Sequence, residues 1–471
     1  MGAGVRDNKA ITMTHPVNET SLGEILNSKF GFRLNSSYIL NCTLYAKMID
    51  ALKCSGFDVA KLSEFVKIRR RRINGKTATI LIKSLWKASI HPLKLELRTH
   101  DNRYQCGKLD IVGVATGLGS IGKFSIVPKY LMKIVEHPLA VTSDIIVLEP
   151  VSNKAKHMYY IVALLNSKIG KLVSDMLTYG STGQLHLDFK HLKDVSIPII
   201  GDHEGVASSM ESAIEEYESR AWKAYFKAMR IVEEYLGKTE GLITGVVRAK
   251  DVQRIARFRI DSSRLLILGV TSKLLKEHGG GIRRISDLFE VHTAGVPREK
   301  RYKVKEGQHP LITIDSIDES GIIDDEEIYY INMEGNIKGK RRSYPKDSIL
   351  LVKDGASIGK TGILPYNAYV MQGIATLTLR PNVNGSLKYY IFAILKSPLY
   401  KKVIEALGYG ATVQYSITKD EIESLEIPVI KEIAEDVSGY MKEFVENMYQ
   451  ANVLKKQAIM ELENYILKLL S

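Results

Sequence analysis

The chain has 471 residues, 45% of them hydrophobic and 25% charged, with a formal net charge of +13 at pH 7. That length suggests two or three domains, each with enough apolar residues to bury a core. No apolar run reaches the length of a membrane-spanning helix, the first residues lack a signal-peptide pattern, and the basic balance favours a polyanionic partner. Cys42, Cys54 and Cys106 are odd in number and lack metal-ligand spacing, so reduced, buried thiols of a cytoplasmic protein without metal or cofactor are expected.

In chain order, residues 1–29 match nothing else in the sequence and read as an N-terminal extension. "FRLNSS" from Phe32 and "KLSEF" from Lys61 open a globular region that runs to about residue 200. Its first basic cluster, "KIRRRRINGK", holds Lys67, Arg69, Arg70, Arg71, Arg72 and Lys76. Strand character follows in "TATILIK" (77–83) and "SDIIVLEP" (143–150), and "YYIVALLNSKIGKLVSDML" from Tyr159 reads as one helix. "YGSTGQ" (179–184) places Gln184 after small residues, which suits either backbone approach to a phosphate or a structural turn. From Val206 to Tyr235 apolar residues recur at alternating steps of four and three, through Met210, Tyr217, Ala221 and Ala228, and Gly237 stands where a helix would end. A helix of about 34 residues would be about 50 Å long.

A second pass of the same pattern then begins. "FRIDSS" from Phe258 and "RISDLF" from Arg284 match the earlier openings, and "YYIFAILKS…" from Tyr389 repeats "YYIVALLNS…" from Tyr159 at a constant offset of 230 residues. Strand character recurs in "PLITIDSI" (310–317) and "SILLVK" (348–353). The basic clusters here are "PREKRYKVK", with Arg298, Lys300, Arg301, Lys303 and Lys305, and "KGKRR", with Lys340, Arg341 and Arg342. Gln414 takes the place of Gln184, and a second heptad seam runs through Met441, Met448, Ala451, Ala458 and Tyr465. Each of the segments 204–238 and 431–471 carries seven acids and five bases, so the rest of the chain holds a net +17.

"VKDGASIGKTGIL" (352–364) raises the question of nucleotide binding. A phosphate-binding loop needs four residues between its glycine and Gly-Lys-Ser/Thr. Only three separate Gly355 from Gly359, and in "ATGLGSIGKFSIVP" (115–128) the spacing from Gly117 is right but Phe124 replaces the hydroxyl residue. Two near-motifs sharing Ser-Ile-Gly-Lys suggest one structural loop used twice, with Lys123 and Lys360 as candidate phosphate contacts. Metalloprotease, serine-hydrolase and amino-methyltransferase motifs are absent, and no carboxylate set reads as a nuclease site.

The expected fold is mixed α+β: two duplicated α/β domains joined and separated by two long antiparallel helices in a coiled coil, with pseudo-two-fold symmetry. "DGASIGKTGIL", "GYGATVQYSITKDEIESLEIPVI" and the helix that follows resemble the specificity (S) subunit of type I restriction-modification systems, over nearly the whole chain from Phe32. The resemblance implies target recognition domains at 30–200 and 258–430, conserved spacer helices at 201–238 and 431–471, and a linker at 239–257. It also implies double-stranded DNA, methyltransferase subunits and a restriction or translocase subunit as partners, with no catalytic activity in the chain itself. The candidate DNA contacts are the basic clusters, Lys123, Gln184, Lys360 and Gln414. Residues alone leave two other readings: an ATPase using residues 354–361, and a non-catalytic coiled-coil adaptor of a related DNA methylation or defence system.

Overall fold

The computed structural model describes residues 36–69, 71–86, 88–117, 119–181, 184–236, 281–297, 303–304, 307–331, 342–408 and 415–470. In chain order its first part is α1 (Ser36–Cys54), β1 (Asp58–Lys61), β2 (Val66–Ile68), β3 (Arg72–Ile80), β4 (Leu85–Trp86), β5 (Ser89–Ile90), β6 (Glu96–Tyr104), β7 (Ile111–Val114), β8 (Phe124–Ile126), β9 (Leu139–Val141), β10 (Ile145–Pro150), α2 (Met158–Leu165), α3 (Lys168–Leu177), β11 (Thr178–Ser181), β12 (Gln184–Leu187) and β13 (Ser196–Ile199). Then comes a continuous helical segment: α4 (His203–Glu211), a π-helical stretch (Ser212–Glu218) and α5 (Ser219–Leu236). The later part is β14 (Gly281–Arg284), β15 (Phe289–His292), β16 (Lys303–Val304), β17 (Pro310–Ile312), β18 (Tyr329–Ile331), β19 (Ile349–Val352), β20 (Thr361–Ile363), β21 (Tyr369–Val370), β22 (Ile374–Leu379), α6 (Leu387–Lys396), α7 (Pro398–Leu407), β23 (Glu426–Val429) and α8 (Lys431–Leu470).

The fold is mixed helix and strand. Its two larger antiparallel sheets have the orders β2-β10-β7-β8 and β15-β22-β19-β20. Counted along the chain, both read first-fourth-second-third. Their strands carry unbroken buried runs, such as Ile111–Val114 and Ile349–Val352, because both faces are covered. β1 pairs with β13 and β14 with β23, and beside these pairs the Tyr160 and Tyr390 hydroxyls donate to the Pro198 and Pro428 carbonyls at 2.7 and 2.9 Å.

The stretch from Tyr159, expected as one helix, is two. Ser167 caps α3 by accepting from Gly170 N, and Asn166 turns its amide to the Phe124 and Val162 carbonyls. In the later copy Ser397 caps α7 and Pro398 occupies its first turn. The amphipathic period continues across both breaks, which is why periodicity alone joined them.

The first heptad seam is also corrected. Met210, Ala221 and Ala228 are buried, but Tyr217 is only half-buried and Tyr235 is 38% exposed. The π stretch widens one turn and rotates the face that follows, so Trp222, Tyr225, Met229, Val232 and Leu236 join the buried side. On α8 the expected Met441, Met448, Ala451 and Ala458 are buried, while Tyr465 is half-buried with its ring edge-on to Phe57 at 5.9 Å. Contacts between the two helical segments run in opposite directions along the chain. Glu218 meets Lys455, Trp222 and Tyr225 meet Phe444, and Lys227 lies over the Tyr440 ring.

One large core holds buried residues of both sheets, α2, α3, α6, α7 and the long helices. Of the cysteines expected to be buried, Cys106 is, Cys42 is half-buried and Cys54 is exposed; all three are free thiols. Among the described residues no helix is long and apolar enough to cross a membrane. Residues 1–29 and 239–257 lie outside the described residues.

Candidate nucleic-acid interface

The Ser-Ile-Gly-Lys loops settle first. Residues 353–360 form the turn between β19 and β20, with Gly355 and Gly359 at φ +85° and +87°. The backbone N–H groups that would cradle a phosphate are used internally: Gly355 donates to Tyr415, Ile358 to Gly355, Gly359 to Val352 and Lys360 to Ser357. The Thr361 hydroxyl is buried and donates to the Gly359 carbonyl at 3.1 Å. The Lys360 ammonium donates to the Ile314 carbonyl at 3.3 Å, and burial lowers its pKa. This is a closed structural turn rather than an anion cradle, so Lys360 is corrected from phosphate contact to internal brace. In the first copy Lys123 is exposed, and Gly122 (φ +88°) lies against Ser174 on α3.

Among the described residues, exposed cations gather on the antiparallel ribbon of β3 and β6. Its register sets Arg72 opposite Tyr104, Lys76 opposite Thr99 and Thr77 opposite Arg98, with a bulge between Ile73 and Gly75. The inner end of β3 is buried, whereas Arg71, Arg72 and Lys76 at its outer end are exposed. The Arg72 guanidinium donates to the Asn102 carbonyl at 2.7 Å and the Tyr104 hydroxyl at 3.1 Å, and lies 4.5 Å from the Tyr104 ring centre. Sequence reading missed the β6 side: exposed Arg98 and half-buried His100 and Arg103. The alternation in "ELRTHDNRY" was the available signal. Such a ribbon matches the width of a B-DNA major groove, and its cations suit phosphate contacts.

The remaining candidates divide. Lys67 is 62% exposed at its side chain and 3.4 Å from Glu149. Arg69 is corrected: it is nearly buried, with Nε 3.0 Å from Asp110 and 3.2 Å from Glu149, so its charge is already matched. Asp110 itself is pushed up to about 6 by burial, against the opposing Gly107 N–H and Arg69. Arg342 is half-exposed, close to the His292 ring and 5.6 Å over Tyr344. Gln184 begins β12, its backbone paired with Ser181. Arg70, Arg298, Lys300, Arg301, Lys340, Arg341 and Gln414 lie outside the described residues.

A buried polar cluster, unseen from sequence, lies between the long helices. Glu218 accepts from Lys455, from Ser89 Oγ at 2.9 Å and from the Tyr130 hydroxyl at 3.0 Å, and all four residues are buried. The Lys455 ammonium stands 4.8 Å from the Trp86 ring centre. Nearby, His91 Nε2 lies 3.3 Å from Asp318 Oδ2, both fully buried, and the His91 ring contacts Trp222 at 5.1 Å. Burial alone would raise the pKa of Asp318, but the His91 and Ser320 side chains hold it well below the carboxylate range. Among the described residues no group of three or more His, Cys, Asp or Glu could hold a metal ion.

A basic groove-sized ribbon on a strand-rich scaffold fits DNA recognition. Residues 280–464 match the family model described as the type I restriction modification DNA specificity domain. That stretch of the chain is therefore similar to a DNA specificity domain of type I restriction-modification systems. No curated protein sequence matches the chain. Among solved structures, an S subunit of a type I restriction-modification system from M. genitalium is 12% identical, with 88% of this chain and 96% of that chain covered and a TM-score of 0.40. An HsdS subunit from Thermoanaerobacter tengcongensis is likewise 12% identical, with 87% and 96% covered and a TM-score of 0.28.

Proposed function

We propose that this chain is the non-catalytic DNA-recognition subunit of a type I restriction-modification complex, with two target recognition domains each reading one half of a bipartite target. The domains are 30–200 and 258–430. The helices of 201–238 and 431–471 act as an antiparallel coiled-coil spacer that relates the domains by a pseudo-two-fold axis and docks methyltransferase subunits. A restriction or translocase subunit joins the same assembly. The observation that carries the reading is the specificity-domain match over residues 280–464. The identical strand order of the two larger sheets and the opposed contacts of the long helices support extending it to the first half.

In this reading the ribbon of β3 and β6, with Arg71, Arg72, Lys76 and Arg98, contacts one half-site together with Lys67, Lys123 and Gln184, and Arg342 contacts the other. Arg70 belongs to the same role in the first half, and Arg298, Lys300, Arg301, Lys340, Arg341 and Gln414 in the second. Two short half-sites read together make a long, rare target from two modest interfaces. The test is to co-express the chain with a type I methyltransferase subunit from the same genome in a host lacking methylation, and to map modified bases. A split motif with a fixed gap is expected. A contiguous motif would overturn the bipartite reading.

A further inference from the structure

The buried polar cluster joins four segments distant in sequence. Trp86, Ser89, His91 and Tyr130 come from the first half, Glu218 and Trp222 from the first long helix, Lys455 from the second, and Asp318 from the second half. Asp318 is fixed in its own half, accepting from Ser320 Oγ at 2.7 Å and from Ile322 N at 2.9 Å. Glu218 is fixed by three donors, two from the first half and one from the second long helix.

Apolar packing tolerates small slides, because one methylene contact replaces another. A buried charge does not, because any slide that separates it from its partner leaves it unsolvated and unpaired. Fixing register is the best-attested use of such pairs. The position of the two pairs matters as much as their chemistry. His91–Asp318 spans the two halves directly, and Glu218–Lys455 spans the two helices between them.

We propose that His91–Asp318 and Glu218–Lys455 are positioning pairs that fix the separation and rotation of the two halves, and so set the spacer length between the two half-sites. This inference rests on the bipartite reading above. Neither pair touches a base. Adding one base pair moves a half-site by about 3.4 Å and turns it by about a tenth of a helical turn. A frame locked at both pairs accommodates neither change.

The experiment uses the full chain in its methyltransferase assembly, once the wild-type motif has been mapped, with duplexes whose spacer is one base pair shorter, correct, or one longer. Wild type is expected to prefer the correct spacer strongly. Asp318→Asn keeps an acceptor for Ser320 and Ile322 while removing the charge facing His91; Lys455→Met removes the ammonium at nearly constant volume, paired with Glu218→Gln. Each variant is expected to methylate the same half-sites while its preference for the correct spacer falls by about tenfold or more. A residue that merely stabilises the fold would lower activity on all three duplexes alike. Unchanged spacer preference in both Asp318→Asn and the Glu218→Gln/Lys455→Met double variant overturns the inference. If the double variant fails to fold, Asp318→Asn alone decides. A wild-type protein with no split motif at all would instead refute the bipartite reading.

Discussion

In the first half the Ser-Ile-Gly-Lys loop leaves Lys123 exposed; in the second half the matching Lys360 is drawn inward to the Ile314 carbonyl. The same pairing of sameness and difference recurs. The larger sheets share one strand order, and Tyr160 and Tyr390 make the same hydroxyl-to-carbonyl bond. Yet the ribbon of β3 and β6 has nine residues in each strand, whereas the second half uses the short strands β16, β17, β18 and β21. Likeness between the halves is concentrated where residues are buried, and divergence where they can meet a ligand. That division would suit the bipartite reading proposed above.

The largest expected effect lies where the helices depart from repetition. At the 230-residue offset Glu218 corresponds to Met448 and Lys455 to Tyr225, so the buried ion pair has no twin. Lys455→Ala should cost about 3–5 kcal/mol in denaturant unfolding by leaving Glu218 buried without its cation. An unchanged midpoint would mean that water reaches this site.

Two buried aspartates should give opposite pH responses. Asp110 is raised to about 6, so its stabilising contribution is complete below the ordinary carboxylate value and is lost as pH rises through about 6. Asp318 is lowered, so its contribution is present above the ordinary value and disappears as pH falls below it. Asp110→Asn should flatten the decline in melting temperature between about pH 4 and pH 6, an effect on the order of 2 kcal/mol. Asp318→Asn should act only on the acid side.

Glycine replacement sharpens the comparison of the two loops. Gly122 and Gly359 both have positive φ, but an added Cβ meets the Ser174 Cβ at 2.9 Å in one and nothing nearer than 3.4 Å in the other. Gly122→Ala should cost about 2 kcal/mol and Gly359→Ala about 1 kcal/mol. Tyr160→Phe and Tyr390→Phe should each cost about 1 kcal/mol, and equally, if the buried frame is truly shared. Arg71→Ala should change stability by less than about 0.5 kcal/mol while reducing the salt dependence of DNA binding by about one phosphate. An unaltered salt slope would remove the outer ribbon from the interface.

Much of this was legible in the sequence. The hydrophobic runs at 143–150 and 348–353 located Ile145–Pro150 and Ile349–Val352, the run at 77–83 caught only the inner end of Arg72–Ile80, and the second seam found the buried side of α8. Glycine and lysine spacing already argued against a nucleotide loop. What escaped was of three kinds. The π stretch alters the helical period locally, so a regular four-three count misplaced Tyr217 and Tyr235. Arg69 and Lys360 look like free cations in one dimension, but the carboxylates and carbonyl that engage them come from distant segments. Nothing in the sequence singled out Lys455, whose partner Glu218 is 237 residues away.

The way α8 closes the molecule has a consequence for biosynthesis. Lys168 N donates to Glu463 at 2.6 Å, and Phe57 packs against Tyr465. Residues translated early are thus covered by residues translated some three to four hundred positions later. At ribosomal speeds of about 5–20 residues per second, the first half waits tens of seconds with part of its apolar surface uncovered. Chaperone protection during that interval would govern how much of the chain reaches its native state.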